Sequence, residues 1–144
     1  MKLVLSLLLL CAPFLLSAQT KKTKTKAPAP GMAASITRGG LVYKQYCLSC
    51  HQADGGGVPN MNPPLSKTTY VTGDKTRLIK VVLNGFIQPV EIDGESYSNN
   101  MAPHNFLTDQ QIADVLTYVR NNFTNKATAI TAAQVKTVRK LNKK

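Results

Sequence analysis

A short segment in the first half of the chain combines two thiols and an imidazole at a spacing suited to redox chemistry. Cys47 and Cys50 are separated by two residues, and His51 follows directly. Two cysteines at this spacing can add across the two vinyl groups on one edge of a haem, and the adjacent histidine is then placed under the iron as its proximal ligand. In an exported protein the segment predicts covalent attachment of one c-type haem per chain.

Three alternatives would use the same cysteines without haem. A structural zinc site usually has four ligands, but Cys11 lies in a predicted leader and His104 is the only other histidine in the sequence. A thioredoxin-like redox pair is expected within a βαβ pattern, which the sequence lacks. A structural disulfide suits an oxidising compartment but would close a very short loop. We therefore favour haem attachment.

The second axial ligand of the iron decides what such a haem could do. Met101, Met61 and His104 are the candidates, whereas Met32 lies in a predicted linker. Met61 follows His51 by ten residues and is expected to fill the core. Met101 lies fifty residues after His51, in an Asn- and Pro-containing loop before the last predicted helix, and can approach the opposite haem face. A thioether there favours ferrous iron and fills the coordination site, so we expect His51 and Met101 as axial ligands and His104 as an exposed loop residue.

The N-terminal segment has the pattern of an export signal. Lys2 precedes an almost wholly apolar run over residues 3–16, and small residues follow it near a cleavage point after Ala18. The run is shorter than the ~20 residues that span a bilayer. We expect a signal peptide over residues 1–18 and a soluble periplasmic or otherwise exported protein. The alternatives are an uncleaved segment that tethers the protein to the membrane, and lipidation of Cys11, which the bulky Leu10 disfavours.

The formal net charge of +11 does not indicate a nucleic-acid partner, because of where the charge lies. The excess comes from Lys2, four lysines within residues 21–26 and six basic residues after Asn125, while seven basic and seven acidic residues balance in between. A DNA-binding domain would concentrate positive charge on its folded surface. We expect solvated tails; the alternative is that they steer the protein toward an acidic partner or make peripheral contact with a membrane.

Composition divides the rest of the chain into three parts. Residues 19–34 are rich in Lys, Thr, Ala and Pro and predict a flexible linker, and residues 35–125 predict the folded unit. Residues 126–144 predict a basic C-terminal tail. Within it, residues 131–141 could form a short helix with Val135, Val138 and Leu141 on one side, although an isolated helix of that length is marginal in water.

Local signals place the elements that must position the site. A first helix is expected to lead to Cys47, and a second to cover residues 75–84 with Asp74 as its N-cap. Thr108 and Gln111 fit a capping box at the start of the last helix of the folded unit. The pair Asp93-Gly94 predicts a tight two-stranded hairpin, because both turn positions need positive φ.

In order and spacing these pieces resemble class I cytochromes c. The resemblance covers about residues 38–123. This part of the chain is similar to bacterial monohaem cytochromes, including haem domains that are fused to nitrite reductases and quinoprotein dehydrogenases. Here we expect that domain to stand alone. It rests on Gly39-x-x-x-Tyr43-x-x-x-Cys47-x-x-Cys50-His51, Gly57-Val58-Pro59, Pro63-Pro64-Leu65, Val82-Leu83-Asn84-Gly85, Asp93-Gly94-x-x-Tyr97, Met101-Ala102-Pro103 and Ile112-Ala113-x-Val115-Leu116-x-Tyr118-Val119-Arg120. One departure is Ala102, which stands where the family commonly has proline directly after the ligand methionine.

The resemblance implies an all-α fold, a small cytochrome c fold with a short β-hairpin insertion, whose first and last helices cross over the haem edge. It implies that Gly39 lets the last helix approach near Tyr118. It also implies that the Pro63 carbonyl accepts a hydrogen bond from the ring of His51. The hairpin would lie near the haem propionates, where Tyr97 donates a hydrogen bond or simply packs.

The predicted function is transfer of single electrons between redox partners by a monomer with one exposed haem edge. The partners would be a membrane electron-transport complex, an oxidase, a reductase or a dehydrogenase, in small and transient contacts through an apolar patch. The alternative is a haem enzyme such as a peroxidase. That activity needs a labile sixth ligand and an acid–base group, for which His104 is the nearby candidate.

Overall fold

The computed structural model describes residues 30–142, which form six helices and one two-stranded hairpin. The predicted leader over residues 1–18, Cys11 and most of the predicted linker lie outside the described residues. The elements in chain order are α1 (Pro30–Tyr46), α2 (Leu48–His51), α3 (Thr69–Thr72), α4 (Lys75–Asn84), β1 (Val90–Ile92), β2 (Glu95–Tyr97), α5 (Asp109–Val119) and α6 (Ala132–Leu141). The prediction of an all-α fold with a short β-hairpin is confirmed.

Helices α1 and α5 cross in close contact, and a glycine makes the approach feasible. A Cβ atom built on Gly39 would lie 2.1 Å from the carbonyl oxygen of Asp114 and 2.7 Å from the Cβ of Tyr118. Any side chain at residue 39 would therefore force the helices apart. The close approach that the resemblance implied for Gly39 is present, and it buries the ring of Tyr43 between the two helices and Phe123.

A buried carboxylate joins the same two helices beside the crossing. Asp114 is 2% exposed, and it accepts hydrogen bonds from the guanidinium of Arg38, the hydroxyl of Ser35 and the amide of Gln110. Burial alone would raise the pKa of Asp114, but these hydrogen bonds and the charge of Arg38 outweigh it and hold the pKa below its ordinary value of 3.8. The paired carboxylate fixes the start of α1 on α5.

The helix ends follow the local signals. The side chain of Asp74 accepts from the backbone N–H of Arg77 at the start of α4, as an N-cap should. Thr108 and Gln111 form the predicted capping box at the start of α5. In the hairpin, Val90 pairs with Tyr97, and the turn residues Asp93 and Gly94 have φ angles of 55° and 83°. The predicted tight turn is present.

The linker prediction for residues 19–34 is wrong at its C-terminal end, because α1 already begins at Pro30. Proline suits the first position of a helix, where its missing N–H would have no partner, and Met32-Ala33-Ala34 has good helix propensity. The polar composition that indicated a linker is compatible with a helix here because Ser35 and Arg38, further along it, bind Asp114.

The prediction that residues 126–144 form a solvated tail is also wrong for the part that the structure describes. Helix α6 packs on α5 and α4, and Val135 and Val138 are buried with Ile130 in the core, although Leu141 is exposed. The short helix was predicted, but its apolar face finds partners that sequence periodicity does not reveal. The folded unit therefore continues past residue 125 to the end of α6.

Arg120, at the end of α5, ties this C-terminal part to the rest of the core. Its side chain is 3% exposed and donates to the carbonyl oxygens of Thr128, Val71 and Gly73. Thr117, fully buried, exchanges two hydrogen bonds with the backbone of Ile130. Within residues 30–142 no helix is both long and apolar enough to cross a membrane.

Candidate functional site

The two thiols and the imidazole lie on a single helical turn. The backbone N–H of Cys47 donates to the carbonyl of Tyr43 at the end of α1, and that of His51 donates to the carbonyl of Cys47, each at 2.9 Å. Cys47 and Cys50, three positions apart in this turn, lie on one side of it. Both cysteines are free thiols, and burial, with a smaller effect from Cys50, raises the pKa of Cys47 to about 11. The pair is available for attachment to a group beside it.

A hydrogen bond fixes the ring of His51. Its Nδ1 lies 3.0 Å from the carbonyl oxygen of Pro63. Because a carbonyl can only accept, Nδ1 carries the proton, and Nε2 keeps its lone pair for a metal. Burial lowers the pKa of His51, which the bond to Pro63 partly offsets. The neutral imidazole is the form that binds iron, and the predicted His51–Pro63 hydrogen bond is present.

The segment that carries Pro63 is held in place by a glycine in the left-handed region. Gly57 has φ 70°, and its N–H donates to the carbonyl of His51 at 3.1 Å. A Cβ atom at this position would lie 2.7 Å from the Pro63 oxygen that orients the imidazole. On the other side, the hydroxyl of Tyr43 donates to the carbonyl of Gln52 at 2.6 Å. The sequence motif contained Gly57, but its role in supporting Pro63 needs the fold.

A cavity of about 380 Å³ lies beside this turn. Cys47, Cys50 and His51 line it together with Met101 and His104, and apolar side chains of α4 and α5 form much of its wall, namely Leu78, Val82, Val115, Leu116 and Val119. The structure thus brings together the predicted attachment residues, the proximal ligand and one of the two methionine candidates. Met61 is not among the described residues that line the cavity, and it is 47% exposed, so the expectation that it fills the core is wrong.

The backbone around Met101 is held by a short antiparallel bridge. The N–H of Phe86 donates to the carbonyl of Met101 at 2.9 Å, and the N–H of Met101 donates to the carbonyl of Phe86 at 2.8 Å. Gly85 makes room for this bridge, because a Cβ there would lie 2.2 Å from the Met101 oxygen. Two residues beyond Ala102, His104 donates its N–H to the carbonyl of Val82 at 2.8 Å. The segment is therefore held on both sides of Ala102, by Phe86 just after α4 and by Val82 within α4.

The sequence also singles out His104 and Tyr97, and of these two only His104 is among the described residues that line the cavity. His104 is half-buried rather than exposed, and its Nδ1 is buried without a hydrogen-bond partner among the described residues. The expectation of an exposed loop histidine is wrong because the tie to Val82 draws the residue against the cavity. Tyr97 is half-buried on β2 and does not belong to the cavity lining that the structure describes. Its predicted contact with a propionate stays a prediction.

The donor set and the cavity fit a haem. Two free thiols, an imidazole with a fixed lone pair and a thioether line one largely apolar cavity. Nitrogen and thioether ligands are those found on haem iron in electron-transfer proteins. A thiol pair at this spacing beside the proximal histidine also suits attachment to the edge of a porphyrin.

Comparison with known proteins agrees with this chemistry. Residues 36–123 match the family model for cytochrome c. The cytochrome c subunit of alcohol dehydrogenase (quinone) from Gluconacetobacter polyoxogenes is 37% identical over 113 residues, which is 77% of this chain and 24% of that protein. The gluconate 2-dehydrogenase cytochrome c subunit of Pantoea cypripedii is 34% identical over 106 residues, covering 71% of this chain and 24% of that subunit.

A smaller relative is similar over most of its own length. Cytochrome c-552 of Thermus thermophilus is 33% identical over 93 residues, which is 62% of each chain. The dehydrogenase subunits are longer, and this chain spans only about a quarter of their length (24%). Because the family model matches more than half of the chain and includes the thiol pair and both methionine candidates, the chain belongs to the cytochrome c family, as a class I c-type cytochrome.

Proposed function

We propose that the protein carries one electron at a time on a single haem c that is bonded to Cys47 and Cys50 and ligated by His51 and Met101. The observation that carries the proposal is that these four side chains line one cavity, whereas Met61 lies outside its described lining. The haem supplies the one-electron iron chemistry when bound. The protein supplies attachment, axial ligands and surroundings.

Each residue has a separate task in this proposal. The Pro63 carbonyl holds the proton of His51 on Nδ1, which orients the ring and makes Nε2 the ligand atom. The thioether of Met101 would ligate the iron of a bound haem, which would favour the ferrous state and disfavour binding of oxygen or peroxide. The apolar walls contributed by α4 and α5 exclude water, and low polarity also favours the iron state of lower charge.

An aromatic pair marks the side on which a partner would approach. Phe106 is 63% exposed and packs edge-on against Tyr46, with ring centroids 5.4 Å apart. Tyr46 lines the cavity and directly precedes Cys47. An exposed aromatic side chain next to the attachment cysteine suits a small and transient apolar contact with another redox protein. Two of the similar proteins are named as cytochrome c subunits of dehydrogenases, which supports a dehydrogenase as one redox partner. The second partner would be an oxidase, a reductase or a membrane electron-transport complex.

Export belongs to the same proposal. Attachment of haem through two cysteines suits a protein that works outside the cytoplasm, and the N-terminal pattern of Lys2 and the apolar run supplies the route. We place the working protein in the periplasm or an equivalent exported space, as a monomer without a nucleic-acid partner. A contact of Tyr97 with a haem propionate is part of the proposal, and a titration of the reduction potential of Tyr97→Phe against pH tests it.

Spectra of the methionine variants test the axial ligation. The oxidised wild type should show the near-infrared charge-transfer band of methionine-ligated ferric haem, and Met101→Ala should abolish that band. Met61→Ala is the matched control, because it removes an identical side chain outside the cavity lining, and it should keep the band. Loss of the band in Met61→Ala, or its retention in Met101→Ala, would contradict the assignment. A mass spectrum of the native protein without added haem mass would contradict the attachment.

One observation supports the alternative of a haem enzyme such as a peroxidase. His104 lines the cavity and has a buried Nδ1 without a partner among the described residues, as an acid–base group would. A filled sixth position and a single haem disfavour this activity. Rapid turnover of hydrogen peroxide by the wild type that is lost in His104→Leu would favour the enzyme over the carrier.

A further inference from the structure

A single guanidinium links the C-terminal helix to the segment that follows Met101. Arg139, on α6, donates from Nε to Oδ1 of Asp109, from Nη1 to the carbonyl of Asn105 and from Nη2 to the carbonyl of Leu107, each at 2.7 Å. Asn105 and Leu107 belong to the segment that joins Met101 to α5, and Asp109 is the first residue of α5. The planar guanidinium presents its donors on three separate nitrogens in a fixed arrangement, whereas the three donors of a lysine ammonium share one freely rotating nitrogen.

A second contact connects the end of α6 to the other side of the Met101 segment. The side-chain amides of Asn142 and Asn84 exchange two hydrogen bonds, at 2.6 and 3.2 Å. Asn84 ends α4 and is followed by Gly85 and Phe86, and Phe86 forms the backbone bridge with Met101. Helix α6 and its C-cap therefore contact two segments next to Met101. Arg139 binds the segment that follows Met101, and Asn142 binds the end of α4, which leads to Phe86.

This helix lies beyond residues 36–123, which match the family model, so the family pattern does not account for it. Val135 and Val138, which are buried, dock α6 on the core. The hydrogen bonds from Arg139 to the carbonyl oxygens of Asn105 and Leu107 are additional to that docking. Its ion pair with Asp109 is about one-third exposed on each side and adds little by itself, so the carbonyl contacts are the distinctive feature.

We propose that Arg139 is a positioning residue which, as part of α6, holds residues 101–108 in place and thereby keeps the thioether of Met101 on the haem iron. The inference rests on the axial ligation proposed above. For Met101 to leave the iron, its segment must move away from α4 and α5, and that movement breaks the contacts of Arg139. An external ligand that replaces the thioether then competes against these bonds as well as against the iron–sulfur bond.

The experiment measures how easily imidazole displaces Met101 in the ferric haem-containing protein. Arg139→Gln should raise the imidazole affinity on the order of tenfold or more, because two charge-assisted hydrogen bonds to the loop are lost. Hydrogen exchange should also become faster at the amides of His104 and Leu107, which bond to Val82 and His104. Both measurements are made well below the unfolding temperature of the variant.

Lys140→Gln is the matched control, because it removes the same charge from an exposed neighbour on the same helix. It should leave imidazole affinity and exchange at wild-type values, and Arg139→Lys should fall between wild type and Arg139→Gln. If Arg139→Gln fails to fold, Asn142→Ala tests the second contact and should raise imidazole affinity more than Lys140→Gln does.

The outcomes separate this inference from the proposed function. A wild type with the methionine band whose imidazole affinity is the same in Arg139→Gln and Lys140→Gln would refute the inference alone. A destabilised Arg139→Gln with unchanged imidazole affinity would show a structural role only and would equally refute it. A ferric wild type that lacks the methionine band would refute the axial ligation itself, and with it the role assigned to Arg139.

Discussion

Three glycines on α1 differ in their surroundings and give a sharp test of the crossing between α1 and α5. Gly31 has no atom within 4 Å of the position that a Cβ would take, Gly40 would place a Cβ 3.3 Å from the ring of Tyr118, and Gly39 would place one 2.1 Å from a backbone oxygen. Replacing any of the three glycines with alanine raises the helix propensity in the same direction, but the packing of the new methyl group differs between the three positions. The perturbation of interest is Gly39→Ala.

The expected loss follows from two opposing effects. Alanine is better than glycine inside a helix by about 1 kcal/mol. Against this, an ordinary contact for a Cβ begins near 3.4 Å, so the oxygen of Asp114 must retreat by more than 1 Å, and a backbone atom cannot rotate away. Overpacking costs ~1–3 kcal/mol and occasionally more, and a contact this short against backbone belongs at the upper end of that range. The net destabilisation should be about 2 kcal/mol or more, a large share of the ~5–15 kcal/mol typical of a domain.

Guanidinium chloride unfolding of the haem-containing protein, followed by circular dichroism, measures these differences. Gly31→Ala should be unchanged or more stable by up to about 1 kcal/mol, and Gly40→Ala should lie between the other two variants. A Gly39→Ala protein as stable as Gly31→Ala would show that α1 and α5 do not approach as closely as described. That result would refute the packing role of Gly39.

Two more predictions concern the core. Val135→Ala removes two fully buried carbon atoms from α6 and should lower the free energy of unfolding by about 2 kcal/mol. The control Thr137→Ala, at an exposed position of the same helix, should change it by less than about 0.5 kcal/mol. Equal effects of the two variants in chemical denaturation would contradict the docking of α6. Asp114 has a lowered pKa, so its stabilisation is present above its unfolded pKa and is lost as the pH falls through the folded pKa. Asp114→Asn should therefore be less stable than wild type at pH 7 and lose less stability on acidification, and parallel stability–pH curves would contradict this.

Elements with a local chemical signal could be predicted from the sequence. The Asp74 cap and the Thr108–Gln111 capping box depend on side chains within three residues of the helix start, and both are present. The hairpin turn depends on Asp93 and Gly94 alone. The two thiols and the imidazole lie within five consecutive residues, so the sequence alone makes them neighbours, while haem attachment through them stays a prediction.

Features that depend on distant partners could not be predicted in this way. The buried face of α6 has the same periodicity as a marginal solvated helix, and only its contact with α5 separates the two cases. Arg139 lies thirty residues beyond Asp109, and no pattern links them in the sequence. Composition likewise extended the linker to residue 34, whereas α1 begins at Pro30 and is held on α5 through the bond of Ser35 to Asp114, 79 residues away.

In the candidate site, too, some features could be predicted from the sequence and others depend on distant partners. Spacing favoured Met101 over Met61, and the fold adds that Met101 lines the cavity of His51, but ligation itself stays a prediction until spectra are recorded. The position of His104 against the cavity depends on its backbone bond to Val82, which has no sequence signature. The leader and the role of Tyr97 also stay predictions.

The way α5 meets the chain after residue 125 limits how this protein can be shortened or fused. A version ending at the family boundary would remove the Thr128 and Ile130 backbone groups that bond Arg120 and Thr117. It would leave an ionised guanidinium short of acceptors and uncover the side chains beneath Val135 and Val138. Affinity tags, electrode linkers and enzyme fusions should therefore be joined beyond α6, since trimming the chain to residues 36–123 would expose apolar surface and lower solubility.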